Sequence, residues 1–133
     1  MGFSEKDKRK GEEKKDLSEG IGERMIIDTS IAIQRVVNGE TIEENITSVT
    51  LMEFPPIKDY EKFDGKIYFI GEEEQLTAVL LQIKLRKIGS PMSVGDLLIA
   101  ATCINKNEAL LTKDEDFIII KEVEPTLKVV IEN

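Results

Sequence analysis

Histidine and tryptophan are absent from this chain, and cysteine occurs once, at Cys103. Without histidine there is no Ser-His-Asp triad, no Cys-His dyad and no imidazole metal ligand. One cysteine leaves no internal disulfide framework and no zinc ribbon. Cys103 lies in an apolar helical run and reads as a small buried hydrophobe. No apolar stretch approaches the roughly 20 residues that span a bilayer. The amino terminus is charged from residue 5 onward, unlike the apolar core of a secretory signal, so the expected location is the cytoplasm. Aromatics supply 5% of the residues and hydrophobics 41%, so the core should be aliphatic and rich in isoleucine. What remains for chemistry is carboxylates, hydroxyls and lysines. Hard oxygen donors of that kind suit Mg²⁺ or Mn²⁺ better than zinc.

The 133 residues suffice for one ordinary domain. Their net charge of −8 is unevenly spread: residues 1–24 hold seven basic and seven acidic groups, and the rest of the chain carries the whole excess. Such a domain is a poor general electrostatic trap for nucleic acid. It is better suited to attract a basic or polar peptide.

Two segments follow from this. Residues 1–24 are nearly all charged or small and read as a solvated extension, with a helix expected over about 4–18. Met25 itself would fit a native start, and on that reading the stretch before it is an upstream or artificial extension. Residues 25–133 alternate short apolar runs with amphipathic ones. Strands are expected at Met25-Ile-Ile-Asp28, 45–49, 66–70, 109–112 and 127–131, while 117–120 is merely short and apolar. A helix capped by Thr29 or Ser30 should run to about Val37 and stop at Asn38-Gly39. A short helix from Thr50 must end at Pro55-Pro56. A long helix over 71–88 should bury Leu76, Val79, Leu80 and Ile83 and stop at Gly89. Another should cover 93–106. Alternation of this sort predicts a doubly wound α/β fold with a parallel sheet.

Four acidic phrases fall where strands run into helices: Met-Ile-Ile-Asp28-Thr-Ser, Thr50-Leu-Met-Glu53, Ser93-Val-Gly-Asp96 and Thr112-Lys-Asp114-Glu-Asp116. Each acid also has a local explanation. Thr50-x-x-Glu53 and Ser93-x-x-Asp96 fit capping boxes. Asp28 fits a strand-end turn, and Asp114 with Asp116 fits an Asx turn. Capping alone, however, does not require an acid at nearly every such junction. In an open parallel sheet the carboxyl ends of the strands share one edge, so these acids are expected to converge there. Converged carboxylates repel unless a divalent cation lies among them. Asp28 is the sharpest case, because it directly follows an apolar strand and has no Lys or Arg beside it in sequence.

In order and spacing these phrases, together with Gly-Asp96-Leu-Leu-Ile-Ala-Ala-Thr and Leu-Leu-Thr112-Lys-Asp114-Glu-Asp116-Phe, resemble the four signature blocks of PIN domains. Within that family they are most similar to the toxin ribonuclease of VapBC-type toxin–antitoxin pairs. The resemblance covers about residues 25–133. It implies a three-layer sandwich with a central, mostly parallel sheet of four to five strands flanked by helices. It also implies a Mg²⁺- or Mn²⁺-dependent endoribonuclease. Asp28, Glu53, Asp96 and Asp114 would form the catalytic cluster. Asp28, Asp96, Asp114 and, through water, Asp116 would hold the metal, with Ser30 and Thr112 as supporting hydroxyls. RNA as substrate, a homodimer and a cognate antitoxin are implied as partners. The alternative is a PIN-fold binding or regulatory module without significant catalysis. A phosphoacceptor switch is disfavoured, because Asp28 is followed by Thr-Ser rather than by the second acid such a site needs.

Overall fold

A computed structural model describes residues 24–133. The charged extension, with the helix expected over 4–18, therefore lies outside the described residues apart from Arg24. Five strands and five α-helices follow in order: β1 (Met25–Ile27), α1 (Thr29–Val37), β2 (Ile46–Thr47), α2 (Ser48–Glu53), β3 (Ile67–Tyr68), α3 (Glu72–Lys87), α4 (Val94–Lys106), β4 (Ala109–Thr112), α5 (Asp116–Val123) and β5 (Val129–Ile131). A 3-10 turn at Pro55–Asp59 follows α2, where the proline pair ends the helix.

Every strand pairing among the described residues is parallel. β4 lies between β1 and β5, and β2 pairs with β3. The two groups join through Asn45, whose backbone bonds to Met25 and Ile27 at 2.9 and 3.0 Å. The spatial order is thus β3-β2-β1-β4-β5. From β1 the chain winds first to one side and later to the other, so the topological switch point lies between β1 and β4.

Alternate residues of the strands feed opposite cores. Ile26 and Leu110 pack with Leu81, Leu85, Ile99, Phe117 and Ile120 beneath α3, α4 and α5. Ile27 and Leu111 pack with Ile31, Ile42, Ile46 and Ile57 on the α1 side. The three-layer sandwich and its aliphatic core match expectation, and Cys103 is buried within it. The segment 117–120 belongs to a helix, α5, not to a strand.

Two local features hold the frame. Gly39 ends α1 with φ +68°, a conformation that costs a side chain dearly. Gly65 packs so tightly on the Glu44 backbone that a Cβ there would lie 1.9 Å from the Glu44 carbonyl oxygen.

The expected inward face of α3 is wrong. Leu76, Val79, Leu80 and Ile83 are all exposed, at 48–60%, and the buried residues are Glu74, Ala78, Leu81 and Leu85. This helix carries two apolar rows, and periodicity alone does not rank them. Ala78 packs in the same core cluster as Leu97, Ile99 and Ala100 of α4. Glu74 secures the same face by accepting hydrogen bonds from the Gly71 amide at 2.9 Å and from Asn105 at 3.3 Å. The row with larger side chains is left outside.

Candidate metal centre

The carboxyl ends of β1 and β4 meet at the switch point, and each delivers a polar side chain there. Asp28 follows Ile27 directly and is the N-cap of α1, a role expected of Thr29 or Ser30. One of its carboxylate oxygens accepts from the Ile31 amide at 3.1 Å, and the other accepts from the Thr112 hydroxyl at 2.6 Å. Thr112, fully buried at the end of β4, also accepts from the Asp114 amide at 2.9 Å. Asp114 in turn accepts from the Asp116 amide at 2.9 Å, the Asx turn anticipated from the sequence. A continuous hydrogen-bonded chain therefore links Asp28, Thr112, Asp114 and Asp116.

Two other elements bring acids to the same edge. Asp96 lies in the first turn of α4, where its amide donates to the Ser93 hydroxyl at 3.2 Å, as expected of the Ser93 cap. Glu53 closes α2. Its expected capping role does not hold: Thr47 is the N-cap of this helix, and Thr50 lies inside it. Glu53 instead accepts a hydrogen bond from the Thr29 hydroxyl at 2.5 Å, and Thr29 is 2.9 Å from the Thr50 hydroxyl. The hydroxyl that reaches an acid from the first turn of α1 is therefore that of Thr29, while Ser30 is exposed.

These acids lie near enough to raise the cost of one another's charge. Burial is the main reason the Asp28 carboxyl is pushed above the ordinary carboxylate range. Its hydrogen bonds from Thr112 and Ile31 oppose the shift, and the negative charges of Asp114 and Glu53 add to it. Asp96 is raised in the same way, by burial first and then by Asp114, Asp28 and Glu53, against a hydrogen bond from Ser93. Four carboxylates from the ends of β1, α2 and β4 and the start of α4 thus share one region.

In kind, this donor set fits a hard divalent cation: oxygen donors alone, an excess of negative charge, and two acids whose ionised forms are penalised by their surroundings. Among the described residues, no three acidic side chains are already arranged as an ion-binding group. Local amides and hydroxyls hold Asp28, Glu53 and Asp114 in their present positions.

The same architecture recurs among solved structures. A chain of VapBC from Salmonella typhimurium, solved bound to DNA, matches with TM-score 0.69 and 16% identity over 83% of this chain and 98% of that one. A chain of VapBC-5 from Mycobacterium tuberculosis, from the VapBC family of toxin–antitoxin systems, matches with TM-score 0.66 and 18% identity over 84% and 100%. The fold is PIN-like, as in these VapBC chains. VapBC2 from Rickettsia felis, bound to a DNA fragment from its promoter, aligns with TM-score 0.65 and 18% identity over 82% and 99%. No protein-family model matches the sequence. No curated protein matches it either. The PIN fold places the acidic edge at its switch point, where open α/β sheets build their sites.

Sequence reasoning missed Thr29, Thr50 and Gly95. Thr29 was legible only as a cap. Thr50 lies one turn before Glu53, on the same face of α2, a spacing that sequence reasoning spent on a capping box. Gly95, which Glu53 approaches from another element so that a Cβ would lie 3.3 Å from its carboxylate, gave no signal of its own.

Proposed function

We propose that this protein is a divalent-metal-dependent endoribonuclease of the VapC toxin type. The supporting observation is the mutual electrostatic pressure on Asp28 and Asp96 from Asp114 and Glu53 at the β1/β4 switch point. Asp28, Asp96 and Asp114 are the groups that would hold Mg²⁺ or Mn²⁺, with Asp116 reached through water. When bound, such an ion supplies Lewis acidity toward a phosphate oxygen and an acidified water. The chain's own residues do the rest. Thr112 orients Asp28 by occupying one of its oxygens and leaves Asp28 at the end of a rigid, buried strand. Glu53 is exposed, and its carboxylate is the group that would take a proton from the attacking water or join the ligand set. Without compensating positive charge the cluster repels an RNA phosphate, so cleavage depends on the cation.

The partners follow the same reading. The VapBC structures that share this fold are toxin–antitoxin complexes, and a cognate antitoxin is proposed here by that likeness. A homodimer is supported by the exposed row on α3. Leu76, Val79, Leu80 and Ile83 are centred on the helix, with Glu72 and Glu73 in its first turn and Arg86 and Lys87 in its last. Two copies packed antiparallel would bring each acidic end onto a basic end, the self-complementarity that a two-fold interface needs. No helix among the described residues is long and apolar enough to cross a membrane.

The alternative is a PIN-fold binding module without significant catalysis. It is favoured by the net charge of −8, which disfavours RNA. The deciding experiment is cleavage of a mixed single-stranded RNA pool by the purified protein with EDTA, Mg²⁺ or Mn²⁺, alongside Asp28→Asn. Divalent-dependent cleavage lost in the variant supports the nuclease. Equal cleavage by both proteins, or none by either, leaves the binding module.

A further inference from the structure

The position of Glu53 is unusual. It ends a six-residue helix, where the dipole disfavours a negative charge, and its side chain is exposed. A flexible glutamate in that setting has no reason to keep one orientation. Yet both of its carboxylate oxygens meet neighbours. One accepts from Thr29 at 2.5 Å. The other lies against Gly95, where a Cβ would come within 3.3 Å of it. Thr29 is itself held by Thr50 at 2.9 Å, and Thr50 is fully buried within α2.

We propose that Thr50, Thr29 and Gly95 form a clamp that fixes the Glu53 carboxylate over the acidic edge, which makes Thr50 and Gly95 positioning residues for the reaction proposed above. The clamp rests on that reading and adds to it. Thr50 is rigid because it is β-branched and buried in a helix. Its hydroxyl orients that of Thr29, so the Thr29 proton points at Glu53 rather than at water. Gly95 precedes Asp96 in the first turn of α4. A Cβ there would lie 3.3 Å from the Glu53 carboxylate and displace it by a few tenths of an ångström from the helix start that presents Asp96. The two sides of the clamp therefore set the distance between Glu53 and Asp96, which come from different elements. A buried threonine without a polar task is readily replaced by valine of the same shape; here that change removes the anchor of the relay.

The test compares Thr50→Val, Thr50→Ser, Gly95→Ala and Glu53→Gln, singly and with Thr50→Val combined with Glu53→Gln. Mn²⁺ binding is read by calorimetry, RNA cleavage by kcat and KM, and folding by thermal melts. Thr50→Val is expected to lower kcat about 10- to 100-fold, the usual cost of losing an outer-shell partner, and Gly95→Ala to lower it by a smaller factor, both with KM nearly constant and weaker Mn²⁺ binding. Thr50→Ser keeps the hydroxyl and should restore both. In the double variant Thr50→Val should cost almost nothing beyond Glu53→Gln, because residues that act through one another are not additive. Full additivity, or a Thr50→Val protein that melts lower but binds Mn²⁺ and cleaves as before, overturns the clamp. If Glu53→Gln itself changes neither Mn²⁺ binding nor cleavage, the role of Glu53 fails and the clamp falls with it. Loss from Glu53→Gln alone, with Thr50→Val and Gly95→Ala silent, overturns only the clamp.

Discussion

The two edges of the same sheet each hold a buried carboxylate, and they treat it in opposite ways. At the amino edge Glu108, 5% exposed, precedes β4. It accepts from Asn45 at 2.8 Å and from the Tyr68 hydroxyl in a short bond, while Arg24 also bonds to Tyr68 and Lys106 lies 5.2 Å from the Tyr68 ring centroid. Burial and the neighbouring Glu108 hold the Tyr68 phenol well above its ordinary range, so it remains a donor. At the carboxyl edge Asp28 is equally buried, but its neighbours include two further acids. No buried side-chain nitrogen or oxygen among the described residues lacks a hydrogen-bond partner. Hydrogen bonding therefore does not separate the two edges; charge does. An acid surrounded by donors and cations stabilises a fold, whereas acids gathered against one another cost stability and call for a ligand.

The contrast breaks most visibly at Asp28. Asp28→Asn should lower divalent-dependent cleavage by roughly two orders of magnitude or more, while the melting temperature holds or rises because a repelled, buried charge has gone. Full activity in that variant would remove the metal centre from the account.

Glu108→Ala should do the reverse. It leaves the Asn45 amide and the Tyr68 hydroxyl without their buried partner and should cost about 2–3 kcal/mol of stability in urea melts, with kcat per folded molecule little changed. Gly65→Ala belongs beside it, since a Cβ 1.9 Å from the Glu44 oxygen forces the backbone apart. It should cost about 1–3 kcal/mol by the same measurement.

A smaller effect concerns pH. Asp28 and Asp96 have folded pKa values raised above the ordinary 3.8. The folded state therefore binds protons more readily than the unfolded one. Their contribution to stability is fully present below about pH 3.8 and is lost as pH rises through the folded values. Glu74 and Glu124, whose values are lowered, act in the opposite sense: their contribution is present above the ordinary 4.5 and is lost as pH falls through the folded values. Subtracting the Asp28→Asn stability profile from that of the parent isolates the first group. The parent should lose stability relative to the variant as pH rises, and saturating Mn²⁺ should reverse that loss at neutral pH. A flat difference would show that Asp28 feels no excess of negative charge.

The smallest change is expected from Ser30→Ala. Ser30 is exposed, while Thr29 supplies the hydroxyl that meets Glu53. Cleavage should stay within about three-fold of the parent, well below the 10- to 100-fold typical of an outer-shell partner.

Much of this was legible from residue order. The run Met-Ile-Ile before Asp28 and the run Ala-Leu-Leu before Thr112 mark buried parallel strands, because both faces of such strands are covered. Gly39 and Gly89 mark helix ends through their positive φ. Strand alternation then places Asp28 and Thr112 on a shared edge by topology alone. Hydrogen-bond partners were less accessible. Thr47, Thr50 and Ser48 crowd one junction, and sequence spacing assigned the cap to Thr50, whereas the backbone turns one residue after Thr47.

Residue order by itself determined the candidate acids, their oxygen-only chemistry and the α/β alternation, since these depend on residue type and short-range period. Tertiary structure alone decided which row of α3 is buried, which threonine meets Glu53 and how near Glu53 comes to Gly95. Each of those depends on how closely two elements distant in sequence approach, and that distance is set by packing volume, which local periodicity does not encode.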